Sequence, residues 1–199
     1  MGCPAVENRG LQWTDKCVMV EKNEERDEAL ERLSKAFFAR DPVTVARELV
    51  GKQLVFQTPE GIKRLRITEA EAYWGEEDTA CHAHKGRTKR TEVMYGEAGT
   101  IYVYLCYGMH WMLNLVTGDR EDPQAVLIRA CQGAEGPGRL TKAMGITGVL
   151  NGKSAVEPGS RLWVEDDGLL WGTEARKRVG IGYAAPEDRD RLWRFVKKP

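Results

Sequence analysis

Arg66-Ile-Thr-Glu-Ala-Glu-Ala-Tyr73 and Ile101-Tyr-Val-Tyr-Leu-Cys-Tyr-Gly-Met109 are the two stretches from which the fold is read. The first continues a strand that begins after the turn Thr58-Pro-Glu-Gly61. Alternation along it puts Leu65, Ile67, Glu69, Glu71 and Tyr73 on one face. The second is the first arm of a hairpin. Residues 102–107 and 111–117 read as its two strands, and Asp122-Pro123 turns the chain into a third strand at 125–130. With a loop of Gly108, Met109 and His110, Tyr107 opposes Trp111 and Tyr104 opposes Asn114. A three-residue loop therefore sets Asn114 beside Tyr104 on one face, whereas a two-residue loop would turn it to the other.

Outward from these strands, Leu30, Leu33 and Phe37 recur at helical spacing among charges, which predicts an amphipathic helix over 24–39. A second helix starts with Asp41 as N-cap and Pro42 in its first position, and stops at Gly51. Residues 52–57 form a short strand, 139–144 a short helix ended by Gly145, and 161–165, 178–182 and 194–196 later strands. There is no internal repeat. The strands are joined by hairpins and not by crossover helices. That predicts an α+β fold: a single domain with a curved, mainly antiparallel sheet and peripheral helices. Residues 1–22 lack periodicity and are expected to be a disordered arm, with the domain at 23–199.

The 42% hydrophobic and 30% charged residues are an ordinary globular balance, with no apolar run of membrane-spanning length and no secretory signal. The cysteines are Cys3, Cys17, Cys81, Cys106 and Cys131; an odd, irregular set reads as reduced thiols of an intracellular protein. Thirty basic and thirty acidic side chains cancel, which argues against a generally basic DNA-coating protein. A local patch survives this balance: Lys85, Arg87, Lys89 and Arg90 lie within six residues, in a loop of 74–98 that is long enough to suggest function.

Glu69 and Glu71 lie ~6–7 Å apart on one strand face, with Tyr73 beyond. Like charge and partial burial would raise the pKa of at least one, as a general base near neutral pH requires. By pattern alone, two acids on a strand read more readily as a solvated, salt-bridged face, and Tyr73, Tyr104 and His82 as ordinary packing and loop residues. Together, a carboxylate among aromatic rings suits a flat ligand, and one task in particular: hydrolysis of the bond between a nucleobase and its sugar. Cys81-His82-Ala83-His84 invites a zinc reading, but no second Cys/His pair lies at a recognised spacing, so no metal is expected.

Segments 66–75, His82, 99–109, Asn114 and Val126-Leu-Ile-Arg-Ala130 resemble the alkyladenine (3-methyladenine) DNA glycosylase family, in order from about Phe37 to Phe195. The resemblance implies a monofunctional glycosylase of base excision repair, acting on alkylated or deaminated purines such as 3-methyladenine and hypoxanthine. It implies Glu71 as the water-activating carboxylate, with Glu69 supporting it or purely structural. Tyr73, His82 and Tyr104 become the walls around an extruded base, and Asn114 the residue that crowds the exocyclic amine of normal guanine. Tyr107 becomes the wedge of a DNA-intercalating hairpin, with Met109 and His110 as minor-groove contacts. Arg129 would hold the phosphate of the flipped nucleotide or else pair with Glu69. Trp74, His110 and Trp111 depart from the family pattern, all outside the proposed catalytic positions. No cofactor is implied. The expected partner is duplex DNA carrying damaged purines, met by a monomer with no membrane attachment, in a nucleus or beside a bacterial or archaeal nucleoid. A non-catalytic nucleic-acid-binding module of the same fold is the alternative.

Overall fold

The computed structural model describes residues 30–199. The expected arm at 1–22 and the first part of the 24–39 helix lie outside the described residues. Within them, the helix expected from Leu30, Leu33 and Phe37 is not formed as such. Glu31–Arg32 is a short strand, β1, and only Lys35–Phe38 is helical, α1. The helical spacing loses to edge pairing: β1 aligns antiparallel with Asp166 and Glu165, the Leu33 N–H reaches Val164 O at 2.9 Å, and the Arg32 guanidinium lies 3.8 Å over the Trp163 ring. Helix α2, Pro42–Leu49, forms as its signals specify, with the Thr44 N–H donating to Asp41 Oδ1 at 2.8 Å.

Strands β2 (Gln53–Thr58) and β3 (Gly61–Tyr73) form a hairpin. After β3 the chain runs through three 3₁₀ turns before β4 (Ile101–Cys106), β5 (His110–Thr117) and β6 (Gln124–Cys131). Helix α3 is Pro137–Met144, closed by a left-handed Gly145. The remaining elements are β7 (Leu162–Asp166), β8 (Thr173–Arg176), α4 (Pro186–Asp190) and β9 (Arg194–Lys197). The nine strands join as β1-β7-β2-β3-β6-β5-β4, with β9 on β3 and β8 on β9, and every pairing is antiparallel. Strand β3 spans two neighbourhoods. Its first half pairs with β2, its second with β6 and β9.

Between these halves the alternation expected for β3 fails. Ile67 pairs with Cys131 and Ala70 with Ile128, with the register shifting around Glu69. Such a bulge exchanges the two faces of the strand. Leu65 and Ile67 therefore pack into the main core, and beyond the bulge it is Ala70 and Ala72 that do so. Glu69, Glu71 and Tyr73 stay together on the opposite face, but Leu65 and Ile67 are not with them. Phe38, Leu49, Leu113, Leu115, Val126, Ile128, Leu140, Met144 and Phe195 complete the main core under the helices. On the other face a smaller cluster forms from Cys81, Ala83, Met94, Tyr102, Val116 and Ala125, bringing residues of the 74–98 loop onto the sheet.

The strand expected at 178–182 is also absent. Its backbone and side chains serve tertiary contacts instead. Arg178 is buried and ion-paired with Asp78, and the Val179 N–H is taken by a side chain of β3. The sheet is extended by β8 instead.

Candidate active site

Glu71 is fully buried. Its Oε1 accepts from the Val179 N–H at 2.9 Å, and its Oε2 from the Tyr73 hydroxyl at 3.0 Å. Arg129 Nε stands 3.6 Å from Oε1. Burial raises the carboxyl above its ordinary range, and the pull of Arg129 opposes it without winning. Burial and the neighbouring Glu71 push the Tyr73 phenol well above its ordinary value, so the hydroxyl keeps the proton it donates. Glu69 meets a different environment. Arg129 Nε and Arg194 Nη1 each lie 2.9 Å from its Oε1. The partner of Glu69 left open by the sequence is thus Arg129, joined by Arg194 from β9.

Tyr73, His82, Tyr104 and Asn114, four positions distant in sequence, line one cavity with Cys81, Met94, Tyr102 and Tyr183. The His82 and Tyr104 rings meet edge-on, centroids 4.6 Å apart, and His82 Nδ1 lies 3.0 Å from the Tyr102 hydroxyl. Burial first, then the charge of Arg90, lower the His82 pKa to about 4, so the imidazole is neutral at physiological pH. Cys81, pushed up to about 12 by burial, is an inert thiol. Glu71 does not itself line the cavity; Tyr73 connects it to the wall.

The hairpin register differs from the expected one by two residues. Cys106 pairs with His110, so the loop is Tyr107, Gly108 and Met109, and Asn114 lies opposite Tyr102 rather than Tyr104. The loop still has three residues, so parity holds and Asn114 keeps the face of both tyrosines. Its Nδ2 donates to Tyr102 O at 3.1 Å and Met112 O at 3.4 Å. The shift arises because Tyr107, at φ 50°, takes a left-handed turn position ahead of Gly108 at φ 70°. Tyr107 is 90% and Met109 72% exposed. His110 is exposed too, but its ring closely approaches Gly138 in α3: a Cβ there would stand 3.0 Å from it.

The basic run divides. Arg87 turns back onto Glu121 and Glu92 and covers the Tyr95 ring at 4.2 Å. Arg90 leans over Tyr104, 4.9 Å from its centroid. Lys85 and Lys89 are exposed, with no carboxylate partner among the described residues. No group of three or more His, Cys, Asp or Glu side chains suited to a metal occurs among the described residues.

The methylpurine-DNA glycosylase (MPG) family model matches residues 36–135 and 132–199. The chain belongs to the methylpurine-DNA glycosylase family. It is 43% identical over 191 residues to a Psychrobacter cryohalolentis protein named "Putative 3-methyladenine DNA glycosylase", covering 81% of this chain and 89% of that one. Like-named proteins of Methanocella arvoryzae and Rickettsia felis are 45% and 42% identical, covering 83% and 82% of this chain and 92% of each relative. The protein is accordingly a 3-methyladenine DNA glycosylase of base excision repair, a hydrolase of N-glycosyl bonds, and not a mere binding module.

Several residues around this glycosylase site had no mark in the sequence. The Val179 amide comes from a segment remote from β3. The buried Arg178 fixes that segment: it donates to Asp78 Oδ1 at 2.8 Å and to Ala72 O at 2.9 Å, and lies 4.9 Å over the Tyr73 ring. Asp188 Oδ2 accepts from the Thr79 N–H at 2.9 Å, and the Tyr183 hydroxyl donates to Ala80 O at 2.8 Å. Only Tyr102 had an available signal, since alternation puts it on the face of Tyr104.

Proposed function

We propose that Glu71 is the general base that activates water for release of the damaged purine. The observation that carries this reading is a fully buried carboxylate, held by Tyr73 and Val179 directly behind an aromatic cavity. Each carboxylate oxygen can accept more than one hydrogen bond, so both existing partners leave room for a water. Glu71 takes a proton from that water as its oxygen attacks the anomeric carbon. The C–N bond breaks with its electron pair going to the purine, through an oxocarbenium-like centre. A purine alkylated at N3 or N7 leaves as a neutral base. A deaminated purine such as hypoxanthine, which this reading includes, needs a proton in order to leave.

In the same reading, the base stacks among Tyr73, His82 and Tyr104. Asn114, its amide fixed by two carbonyls, crowds the exocyclic amine of guanine. Arg129 holds the phosphate of the turned-out nucleotide with its terminal nitrogens, its Nε being committed to Glu69. The sheet curves about the β3 bulge, which lets the β4–β5 hairpin reach the duplex, where Tyr107 fills the vacated stack flanked by Met109 and His110. Lys85 and Lys89 face phosphates. The protein acts as an intracellular monomer through a domain of residues 23–199, without metal or cofactor. Glu71→Gln tests the central claim: release of 3-methyladenine should fall by ~10²–10⁴ while binding to lesion-bearing duplex persists, and activity within about tenfold of wild type would remove the assignment.

A further inference from the structure

We propose that Arg90 is a charge filter at the mouth of the base cavity, which favours neutral purine lesions relative to cationic alkylpurines. The proposal rests on the cavity of Tyr73, His82 and Tyr104 being the base site. Of the four cations between positions 85 and 90, Arg90 is the one that reaches an aromatic wall: its guanidinium carbon lies 4.9 Å over the centroid of Tyr104. It lines the open cleft that adjoins the base cavity, and the two share Cys81, His82 and Tyr183. No carboxylate among the described residues lies in ion-pair contact with Arg90, in contrast to Arg87, which has two. Its charge is therefore uncompensated where the rings are, and it acts on them: together with burial it helps keep His82 neutral.

An aromatic ring attracts a cation through its quadrupole. The Tyr104 ring already holds one in Arg90. A purine alkylated at N3 or N7 carries a full positive charge while still attached to its sugar. Stacked on Tyr104, it would meet the guanidinium across a short, partly desolvated distance, where like charges repel more strongly than in water. Hypoxanthine carries no charge. Its C6 carbonyl is an acceptor, and a guanidinium offers five N–H donors. The same side chain thus disfavours the first class and can donate to the second. This sense of discrimination fits the chemistry of the leaving groups. The cationic base departs readily by itself, whereas the neutral one needs assistance. A filter that costs the reactive class narrows the spread of rates across lesions.

Arg90 is exposed, so replacing it should leave the fold intact. The experiment measures single-turnover release of 3-methyladenine and of hypoxanthine from otherwise identical duplexes, using the full chain. Arg90→Gln should raise the ratio of 3-methyladenine to hypoxanthine rates by about tenfold, the scale of one partly desolvated cation–π contact. Arg90→Lys, which keeps the charge, should hold the ratio within about threefold of wild type. An equal fall for both lesions in Arg90→Gln would mean that Arg90 contacts phosphate only, and would overturn the filter. So would Arg90→Lys behaving like Arg90→Gln, or a wild-type protein that releases no hypoxanthine. Tyr104→Ala separates this failure from failure of the base-site reading. If it leaves both rates unchanged, the cavity is not the base site. If it reduces both while Arg90→Gln leaves the ratio alone, only the filter is wrong.

Discussion

At the scale of single residues, Glu69 and Glu71 show how position overrides chemical identity. They are two residues apart on one strand face, yet Glu69 is paired at 2.9 Å with two arginines, while Glu71 is sealed from solvent with the same two guanidiniums farther off, at 3.6 and 4.0 Å. Burial therefore governs Glu71, and its pKa rises. The base must be ionised to work, so the rate should fall on acidification at a pH above the ordinary glutamate value of 4.5. A pH profile of single-turnover base release reads this directly, and an acid limb below pH 4.5 would contradict it. Glu69→Gln should cost less than Glu71→Gln; the reverse order in those assays would exchange the two roles. His82, whose pKa shifts in the opposite direction to that of Glu71, gives a stability signature. Its folded pKa of about 4 lies below the ordinary imidazole value of 6.5. Below 6.5 the unfolded chain takes up a proton that the folded imidazole refuses, so the contribution of His82 is complete above 6.5 and is lost as pH falls toward 4. Melting temperatures should drop over that window more steeply in the wild type than in His82→Gln.

At the scale of elements, the hairpin tip carries a cost that packing does not explain. Tyr107 sits in the left-handed region, at φ 50°, and is 90% exposed. For a residue with a side chain that conformation costs roughly 1–2 kcal/mol, against roughly 0.5–1 kcal/mol of extra chain entropy lost by a glycine. Tyr107→Gly should therefore fold at least as stably as the wild type to within about 0.5 kcal/mol, as urea titration would show. It should nevertheless excise far more slowly from a paired duplex than from a mismatched one, because extrusion costs most where pairing is intact. Equal losses on both substrates would deny the tip its wedge role. The same hairpin shows what the sequence discloses. The three-residue loop and the shared face of Asn114 with the tyrosines follow from alternation, because parity is a local property. The register does not, because it depends on where the left-handed part of the turn begins, at Tyr107 and not at Gly108. The β3 bulge is likewise hidden: Leu65 and Ile67 alternate correctly with Glu69 in the sequence, and only pairing with β6 and β9 reveals the exchange of faces. The segment bearing Val179 reads in sequence as a strand but forms none, since a backbone that satisfies side chains looks in sequence like one that satisfies a ladder.

At the scale of the whole molecule, two arrangements of charge decide behaviour. One is internal. Arg178 and Asp78 form a fully buried pair that ties the 74–98 loop to the segment holding Val179 against Glu71. Removing one partner leaves an uncompensated charge, and Asp78→Ala should cost about 3–5 kcal/mol of stability. The other is external. Thirty cations balance thirty anions, so long-range attraction to DNA must come from local excess. The structure reduces the candidates, since Arg87 is spent on Glu121 and Glu92 while Lys85 and Lys89 have no acidic partner among the described residues. Each lysine that displaces a counterion from a phosphate contributes about 0.9 to the slope of log K against log salt. Binding of undamaged duplex should thus weaken steeply with salt despite zero net charge, and Lys85→Ala with Lys89→Ala should lower the slope by about two units. Arg87→Ala should leave the slope unchanged, because its carboxylates already neutralise it. Titrations across a salt series would distinguish the arginine from the lysines. A slope that drops as much for Arg87→Ala as for a lysine would mean that its ion pairs open on the duplex and that the whole run faces phosphate.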